Sequence, residues 1–218
     1  MSDSRDNYLK IIYEEADNGI VSNKVIAEKL NVSPSSVSEM LSKLSAKGLV
    51  EIIPYKGCKL TESGFELCLD LVRIHRLWEV FLIENLGYTW REAHEDAHLL
   101  EHASTDRMIE RLDKFLNYPK NCPHGSVIPQ KNRFELKAHT LTKLSNLNKD
   151  EKAIISKIDE DGVLLDYLWD LGIKIGKPIK IISKEAYEGS IKLIQEGKEI
   201  SISYKAATQI YTEKDKGE

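Results

Sequence analysis

The pattern of residues 22–48 constrains the fold of this chain more than any other stretch. Ser22 stands before the apolar-periodic run NKVIAEKL, and Ser33 with Pro34 stands before a second run that ends at Gly48. Serine is a preferred helix N-cap, proline suits the first helical position, and glycine is favoured just after a helix. Two short helices joined by a tight turn are expected, and they predict a helix-turn-helix.

The second of these helices predicts a surface for double-stranded DNA. Its apolar residues would pack against the first helix and leave small polar and charged side chains facing outward. Serine can contact phosphates and base edges, glutamate can accept from cytosine, and lysine can reach guanine or phosphate. The predicted DNA-contacting residues of this helix are Ser33, Ser35, Ser36, Ser38, Glu39 and Lys43.

A hairpin wing is predicted directly after the two helices. Residues 49–61 (LVEIIPYKGCKLT) contain two short strand-like runs about a turn near Gly57. Lys56 and Lys59 would face the phosphate backbone of the DNA. Residues 22–60 contain six lysines against three glutamates, so this segment is basic within a chain whose net charge is −4. A winged helix used only for protein contacts is the alternative.

The segment 88–125 has the composition of a metal site. Four of its donor residues fall within an arc of about 100° on one helix face, at 100° per residue. These four are His94, His98, Glu101 and His102, and the sequence CPHG then adds Cys122 and His124. One divalent ion or two neighbouring ions could bind there. The three cysteines lack disulfide-type spacing, so a reducing cytosol is expected, with Cys122 the best suited to chemistry.

Three interpretations of this segment are open from the residues alone. The donors could be the solvated face of an amphipathic helix. The run HEDAH at 94–98 also matches the H-E-x-x-H pattern, which predicts a zinc-dependent hydrolase with Glu95 as its base. However, catalytic zinc needs an open fourth position, and Glu101 and His102 could fill it. The third interpretation is a regulatory metal site without catalysis.

The helices outside the helix-turn-helix predict a dimer. A first helix is expected at residues 4–16 and one long helix at 61–85, where His75 and Glu79 stand one turn apart. The apolar faces of residues 65–116 exceed what a single winged helix can cover. A homodimer through these helices is the simplest solution.

Four regions follow from these patterns. Residues 1–62 form the predicted winged helix-turn-helix domain, and 63–125 form a helical metal-binding and dimerisation domain. Residues 126–150 are weakly patterned and predict a linker with a short strand or helix at most. From 151 to 218, β-rich runs and one helical turn predict a small five-stranded β-barrel of the SH3 type. Without an apolar run of about eighteen residues or a signal-peptide stretch, a cytoplasmic protein with no membrane partner is expected.

With these motifs in this order, the sequence resembles the diphtheria-toxin-repressor family of metal-dependent transcriptional regulators, in its manganese-type branch. The resemblance rests on DNYLK, SNKVIAEKLNVSPSSVSEMLSKLSAKGLV, HRLWEVFL, HEDAHLLEH, RLDKFLNYPKNCPHG and the closing barrel pattern. It implies a homodimer that binds a palindromic DNA operator when loaded with Mn(II) or Fe(II) and controls metal-ion uptake genes. It also implies a barrel of the FeoA type, no enzymatic activity and no small-molecule substrate. A winged-helix regulator that senses something other than metal would leave the metal donors without a role.

The resemblance further implies two metal sites in each subunit. The primary set is Asp6, His98, Glu101 and His102, and the ancillary set is His75, Glu79, Cys122, His124 and Glu160, with His94 as a possible addition. Asp159 and Asp161 flank Glu160 in the first loop of the barrel and are alternatives to it. His98 departs from the family pattern, which has a carboxylate or a sulfur ligand there. Because imidazole favours later first-row metals, Zn(II) joins Mn(II) and Fe(II) as a candidate.

Overall fold

The structure is a computed structural model that describes residues 2–16, 19–130 and 141–214. The chain divides into two compact units. The first contains Met1–Ile74, Glu101–Ser104 and Pro129–Lys131, and the second contains His75–Leu100, Thr105–Ile128 and Asn132–Glu218. Among the helices of the described residues, none has both the length and the apolar character that a membrane span requires.

The first unit is a winged helix-turn-helix preceded by one helix. Its elements are α1 (Ser2–Glu15), α2 (Asn23–Leu30), α3 (Pro34–Ala46), β1 (Val50–Ile53), β2 (Gly57–Leu60) and the first half of α4 (Glu62–Leu86). Ser22 caps α2 by accepting from the Val25 amide, and Ser33 caps α3 by accepting from the Ser36 amide. The predicted helix-turn-helix is thereby confirmed, with both caps at the expected serines.

One apolar core holds the helices of the first unit together. Ile26 of α2 and Leu41 of α3 are buried in it together with Leu9 of α1 and Val72 of α4. These side chains recur at helical spacing, so each helix turns one apolar face inward. The packing leaves the opposite face of α3 exposed to solvent, which is the face that the sequence predicts to meet DNA.

The wing of the first unit is an antiparallel hairpin that lies close to the start of α2. Val50 pairs with Leu60 within the hairpin, and Val21 forms an isolated bridge with Cys58. Gly57 permits this approach, because a Cβ at this position would overlap the Val21 carbonyl oxygen. Its φ of +129° also lies in a region that favours glycine. The predicted wing is therefore present, with its turn where the sequence places it.

The helical part of the second unit consists of the second half of α4, most of α5 (Trp90–Ala103) and α6 (Asp106–Phe115). Leu82 of α4 packs with Ala93 and Ala97 of α5 in a small buried cluster. Alanine is small enough to let the two helix backbones approach each other. The long helix predicted at 61–85 is found as Glu62–Leu86, and the predicted donor-rich helix is found as Trp90–Ala103.

The C-terminal domain of the second unit is a six-stranded antiparallel sheet in the order β3-β8-β4-β5-β6-β7. Its strands are β3 (Thr142–Lys143), β4 (Lys152–Ile158), β5 (Pro178–Lys184), β6 (Ile191–Gln195), β7 (Lys198–Ile202) and β8 (Ile210–Lys214), with a 3-10 turn at Leu144–Asn146, α7 (Gly162–Leu171) and α8 (Tyr204–Ala207). Alternate strand residues such as Ile179 and Ile181 are buried, and Leu165 and Leu168 of α7 join them in one core. This architecture confirms the predicted small β-domain.

Two details of this domain differ from the sequence prediction, namely the number of strands and the length of α7. The predicted linker 126–150 allowed a short strand, and β3 is one: it pairs with β8, and Leu144 and Leu147 are buried in the core of the β-domain. This short strand depends on a distant partner, so local patterning could not reveal it, and it adds a sixth strand. Helix α7 has 10 residues instead of one turn, because its leucines cover the core of the sheet. Residues 131–140 of the predicted linker lie outside the described residues.

Candidate metal centres

The second unit brings six potential metal ligands together. They form two overlapping groups, and within each group the donor atoms lie within 4.8 Å of one another. The first group is His75, Glu79, His94 and Glu160, and the second is Glu79, Cys122, His124 and Glu160. These six residues are called the histidine cluster below. All five residues of the predicted ancillary set belong to it, and so does His94.

Glu79 lies at the centre of the histidine cluster. His75 precedes it by one turn of α4, and its Nε2 lies 3.0 Å from Glu79 Oε1. His94 of α5 places its Nδ1 3.1 Å from the same oxygen, and His124 places its Nδ1 3.3 Å from Glu79 Oε2. The Glu79 side chain is fully buried, so its carboxylate contacts imidazoles instead of water.

The loop with the sequence CPHG (residues 122–125) is held in place by strand β4 of the β-domain. The amide of Ile158 on β4 donates to the carbonyl oxygen of His124. Gly125 lies so close to β4 that a Cβ there would overlap the carbonyl oxygen of Ser156. Only glycine fits this position, so Gly125 fixes the loop that carries Cys122 and His124. The sequence analysis did not single out Gly125, because the strand it packs against is distant in the chain.

One of the three acidic residues in the first barrel loop reaches the histidine cluster. Asp161 caps α7, accepting from a backbone amide at 2.9 Å. Asp159 lies 3.4 Å from the hydroxyl of Tyr211. Glu160 is the residue whose carboxylate meets the cluster, and its Oε1 lies 3.9 Å from Nε of the buried Arg76. The geometry therefore favours Glu160 among the three alternatives.

Burial and charge act in opposite directions inside the histidine cluster. Burial raises the pKa of Glu79, but the imidazoles of His124 and His75 outweigh burial and lower it below its ordinary value. Burial likewise lowers the pKa of His124, but the Glu79 carboxylate outweighs it and raises that pKa. Burial, and then Glu79, raise the pKa of the Cys122 thiol. Glu79 thus holds its proton less tightly than usual, whereas His124 and Cys122 hold theirs more tightly. The protons of His124 and Cys122 must leave before these groups can bind a metal.

The donor set of the histidine cluster fits a divalent metal ion. Within the described part of the chain, His124 Nε2 and Glu160 Oε1 are buried without a hydrogen-bond partner. Buried polar atoms rarely lack a partner, so these two atoms suggest a ligand. Imidazole, carboxylate and thiolate together suit Zn(II) well and are also used for other first-row metals.

A second group of predicted ligands lies in the first unit. Asp6 of α1 and Glu101 and His102 of α5 are called the carboxylate cluster below. His102 lies between the two acids, with its Nδ1 3.4 Å from Asp6 Oδ2 and its Nε2 3.5 Å from Glu101 Oε1. Both acids are buried. These three donors therefore form a chain through the imidazole ring. His98, the fourth residue of the predicted primary set, is half-buried and lies one turn before His102 on α5.

Both acids of the carboxylate cluster already have a basic partner. Arg5 Nε donates to Asp6 Oδ1 at 2.7 Å. Lys10 Nζ donates to both oxygens of Glu101, at 3.2 and 3.0 Å. Neither basic residue was among the predicted site residues. Lys10 stands one turn after Asp6 on α1, and this spacing is the sequence signal that could have drawn attention to it.

The residues predicted to contact DNA lie at the surface of the first unit. Ser33, Ser35, Ser36, Ser38, Glu39, Lys43 and Lys56 are exposed, and Lys59 is half-buried. Lys43 donates to Glu39 at 2.6 Å across one turn of α3, and Lys59 Nζ lies 2.9 Å from Glu51 on the wing. Such surface ion pairs are weak, so both lysines can exchange their carboxylates for phosphates at little cost.

Comparison with known proteins identifies three domains along the chain. The matching family profiles are the iron dependent repressor N-terminal DNA binding domain at residues 1–58, the iron dependent repressor metal binding and dimerisation domain at 61–130, and the FeoA domain at 142–214. Their order is the order of the helix-turn-helix, the helical donor-rich segment and the β-domain described above.

Individual relatives match this chain over different lengths. The iron-dependent repressor IdeR of Mycobacterium bovis is 34% identical over 128 residues, which span 58% of this chain and only 56% of that relative. The crystal structure of ScaR with bound Cd²⁺ is 40% identical, with a TM-score of 0.83 over 96% of this chain and 99% of ScaR. A manganese-dependent transcriptional repressor in complex with manganese is 32% identical, with a TM-score of 0.84 over 95% of this chain and 98% of that structure.

The chain belongs to the diphtheria-toxin-repressor family. Members of the diphtheria-toxin-repressor family are DNA-binding transcriptional repressors and not enzymes. The hydrolase alternative also lacks structural support, because it requires Glu95 as a base beside a zinc ion. In this chain, Glu95 is exposed and pairs with Arg91 at 2.7 Å on the surface of α5.

Proposed function

We propose that this chain is a dimeric repressor that binds a palindromic operator when loaded with Mn(II) or Fe(II) and controls metal-ion uptake genes. The observation that carries the proposal is the presence of two clusters of metal donors in the same chain as an exposed recognition helix. Zn(II) is a third candidate, because imidazoles contribute much of the donor set. A repressor acts where the DNA lies, so the proposal places the protein in the cytoplasm.

The carboxylate cluster is the proposed primary metal site. When bound there, a divalent cation supplies positive charge to the acids of Asp6 and Glu101. Asp6 belongs to α1, whose Leu9 and Ile12 are buried in the same core as the recognition helix α3. Asp6 and Glu101 would therefore hold α1 against the last turn of α5 and favour one position of the recognition helix, which is a population shift. His98 stays a predicted member of this ligand set.

The histidine cluster is the proposed ancillary metal site. His75 and Glu79 come from α4, Cys122 and His124 come from the CPHG loop, and Glu160 comes from the β-domain, with His94 of α5 beside them. These side chains would share one ion and so join the β-domain to the helices of its own unit. Glu160 is the only one of the six that the β-domain supplies.

An exposed apolar surface on α5 and α6 supports the proposed dimer. Leu99 is 70% exposed and Phe115 is 65% exposed, and Met108 and Tyr118 are exposed as well. Several large apolar side chains exposed within one stretch of the chain are candidates for a protein interface. A two-fold dimer would place two copies of α3 on half-sites about 10 base pairs apart, and a palindromic operator has the same symmetry.

The exposed polar face of α3 is the proposed operator-reading surface. Ser33, Ser35, Ser36, Ser38, Glu39 and Lys43 would meet base edges and phosphates in the major groove, and Lys56 and Lys59 of the wing would meet the backbone. Ser33 also caps α3, so its hydroxyl has a structural role whether or not DNA is bound. The exposed Ser35 and Ser38 have no such role as caps.

Fluorescence anisotropy tests this proposal, with a labelled palindromic duplex taken from the DNA upstream of the gene that encodes this chain. We expect one of Mn(II), Fe(II) or Zn(II) to raise operator affinity by about tenfold to a hundredfold, and a chelator to reverse the effect. Asp6→Ala should remove most of this metal dependence and leave the fold intact. Glu66→Ala, which removes an exposed acid of α4, is the control and should behave like the wild type. Equal operator binding in metal and in chelator would refute metal activation.

A further inference from the structure

A lysine ammonium occupies both oxygens of an acid that we propose as a metal ligand. Lys10 Nζ lies 3.2 Å from Oε1 and 3.0 Å from Oε2 of Glu101. The Glu101 side chain is fully buried and the Lys10 side chain is only 13% exposed. A buried acid without a partner is strongly unfavourable, so the ammonium of Lys10 compensates the charge of Glu101.

A divalent metal ion needs the same oxygens of Glu101. Coordination uses the lone pairs of the carboxylate, and the N–H groups of Lys10 point at those lone pairs. An ammonium and a divalent cation also repel each other when they share one acid in a poorly hydrated site. Lys10 must therefore give up at least one Glu101 oxygen before that oxygen can coordinate a metal.

The position of Lys10 on α1 connects this exchange to the DNA-binding unit. Lys10 follows Asp6 by one turn, so both residues lie on the same face of α1. The ion pair of Lys10 with Glu101 links α1 to the last turn of α5. In the loaded protein, Asp6 and Glu101 would make this link through their shared cation, and the contact of Lys10 would no longer be needed.

We propose that Lys10 is a resident cation that competes with the activating metal for Glu101 and thereby sets the metal concentration at which the carboxylate cluster fills. This inference rests on the proposed function. Lys10 keeps the metal-free site neutral and lowers its affinity, so that the site responds only when the metal is abundant. Lys10 is thus a positioning residue and not a ligand.

A metal titration without DNA tests the proposal. The affinity of the full-length chain for Mn²⁺ alone is measured by competition with a fluorescent chelator, for the wild type and for Lys10→Met and Lys10→Gln. We expect both neutral variants to bind one Mn²⁺ per chain about tenfold more tightly than the wild type. Lys10→Arg keeps the charge and should stay within about twofold of the wild type. The control is Lys29→Gln, which removes a lysine that pairs with Glu15 at 2.6 Å on the same unit.

The outcomes separate this inference from the proposed function. A wild type that bound neither Mn²⁺ nor, in the same competition assay, Fe²⁺ or Zn²⁺ would refute the proposed function. If the wild type binds Mn²⁺ and the neutral Lys10 variants bind it equally well or more weakly, the proposed competition by Lys10 is wrong.

A measurement on the wild type covers the case in which the neutral variants do not fold. Lysines are acetylated with a small activated ester, and the rates at Lys10 and Lys29 are compared by peptide mass spectrometry. The rate at Lys10 relative to Lys29 should be low without metal and should rise at least about threefold when Mn²⁺ is present, because the ammonium leaves Glu101. An unchanged ratio at saturating Mn²⁺ would contradict the displacement.

Discussion

The histidine cluster and the carboxylate cluster contain similar donor types but are held together in opposite ways. In the histidine cluster, imidazoles surround Glu79, and the donor atoms of each group converge to within 4.8 Å. In the carboxylate cluster, the donors form a chain through His102, and the acids of Asp6 and Glu101 are held by basic side chains of α1. The histidine cluster is therefore assembled around one acid, whereas the acids of the carboxylate cluster are neutralised by basic side chains of α1.

The difference suggests separate roles for the two clusters. A preassembled site loses little on reorganisation when it binds, so the histidine cluster should fill at lower metal concentration. The carboxylate cluster would have to exchange an ion pair and rearrange its chain of donors, so we expect its filling to be coupled to the position of α1. On the proposed function, we therefore expect the carboxylate cluster to be the better sensor and the histidine cluster the better structural site.

The largest effect is expected from Glu79→Gln, which removes the acid at the centre of the histidine cluster. The metal affinity of this cluster should fall at least about a hundredfold, because every donor around Glu79 loses its common partner. The metal-free protein should lose about 3 kcal/mol of unfolding free energy, because the facing imidazoles lose a buried charge partner. Mn²⁺ titration and urea denaturation measure the two quantities.

The matched control for this variant is Glu84→Gln, an exposed glutamate on the same helix. It should change neither quantity. If Glu79→Gln bound Mn²⁺ at the histidine cluster as tightly as the control, the cluster would not be preassembled around Glu79, and the comparison with the carboxylate cluster would lose its basis.

An intermediate effect is expected from Glu160→Gln, which removes the donor that the β-domain supplies. The affinity of the histidine cluster should fall about tenfold, because its other five donors stay in place. The affinity of the carboxylate cluster should not change, since Glu160 belongs to the other unit. Calorimetric Mn²⁺ titration checks both, with Glu188→Gln, an exposed acid of the same domain, as the control. A loss at both sites would show that the two clusters are not independent.

The smallest effect on Mn²⁺ affinity is expected from Cys122→Ser. This variant distinguishes the two clusters by the type of metal that each one prefers. Thiolate is a soft ligand, so the affinity of the histidine cluster for Cd²⁺ should fall about tenfold, whereas its affinity for Mn²⁺ should change less than about threefold. The carboxylate cluster contains no sulfur and should respond to neither metal. Parallel titrations with Cd²⁺ and Mn²⁺ provide the internal control, and equal losses for both metals would argue against coordination by Cys122.

Most of the fold could be predicted because its signals are local. Ser22 and Ser33 act on amides within the next turn, and the runs that form β4 and β5 carry their own alternation of apolar residues. The parts that were missed depend on distant partners. β3 is a strand only because β8 lies beside it, and α7 extends beyond one turn because its leucines cover the sheet.

The candidate site shows the same division. Helical periodicity predicted that His94, Glu101 and His102 share one face of α5, and residues at this spacing do share a face in an α-helix. Periodicity does not say which partners meet that face. His94 contacts Glu79 of α4 in one unit, and His102 contacts Asp6 of α1 in the other, so the single predicted arc contributes to two separate clusters.

The sequence by itself determined the order of the helices and strands, the donor types and the resemblance to a metal-dependent repressor family. Only the tertiary structure decided that Glu160, and not Asp159 or Asp161, meets the histidine cluster. It alone also revealed that Lys10 occupies both oxygens of Glu101. The physical reason is that caps and periodicity act within a few residues of the chain, whereas a metal site is built from side chains that only core packing brings together.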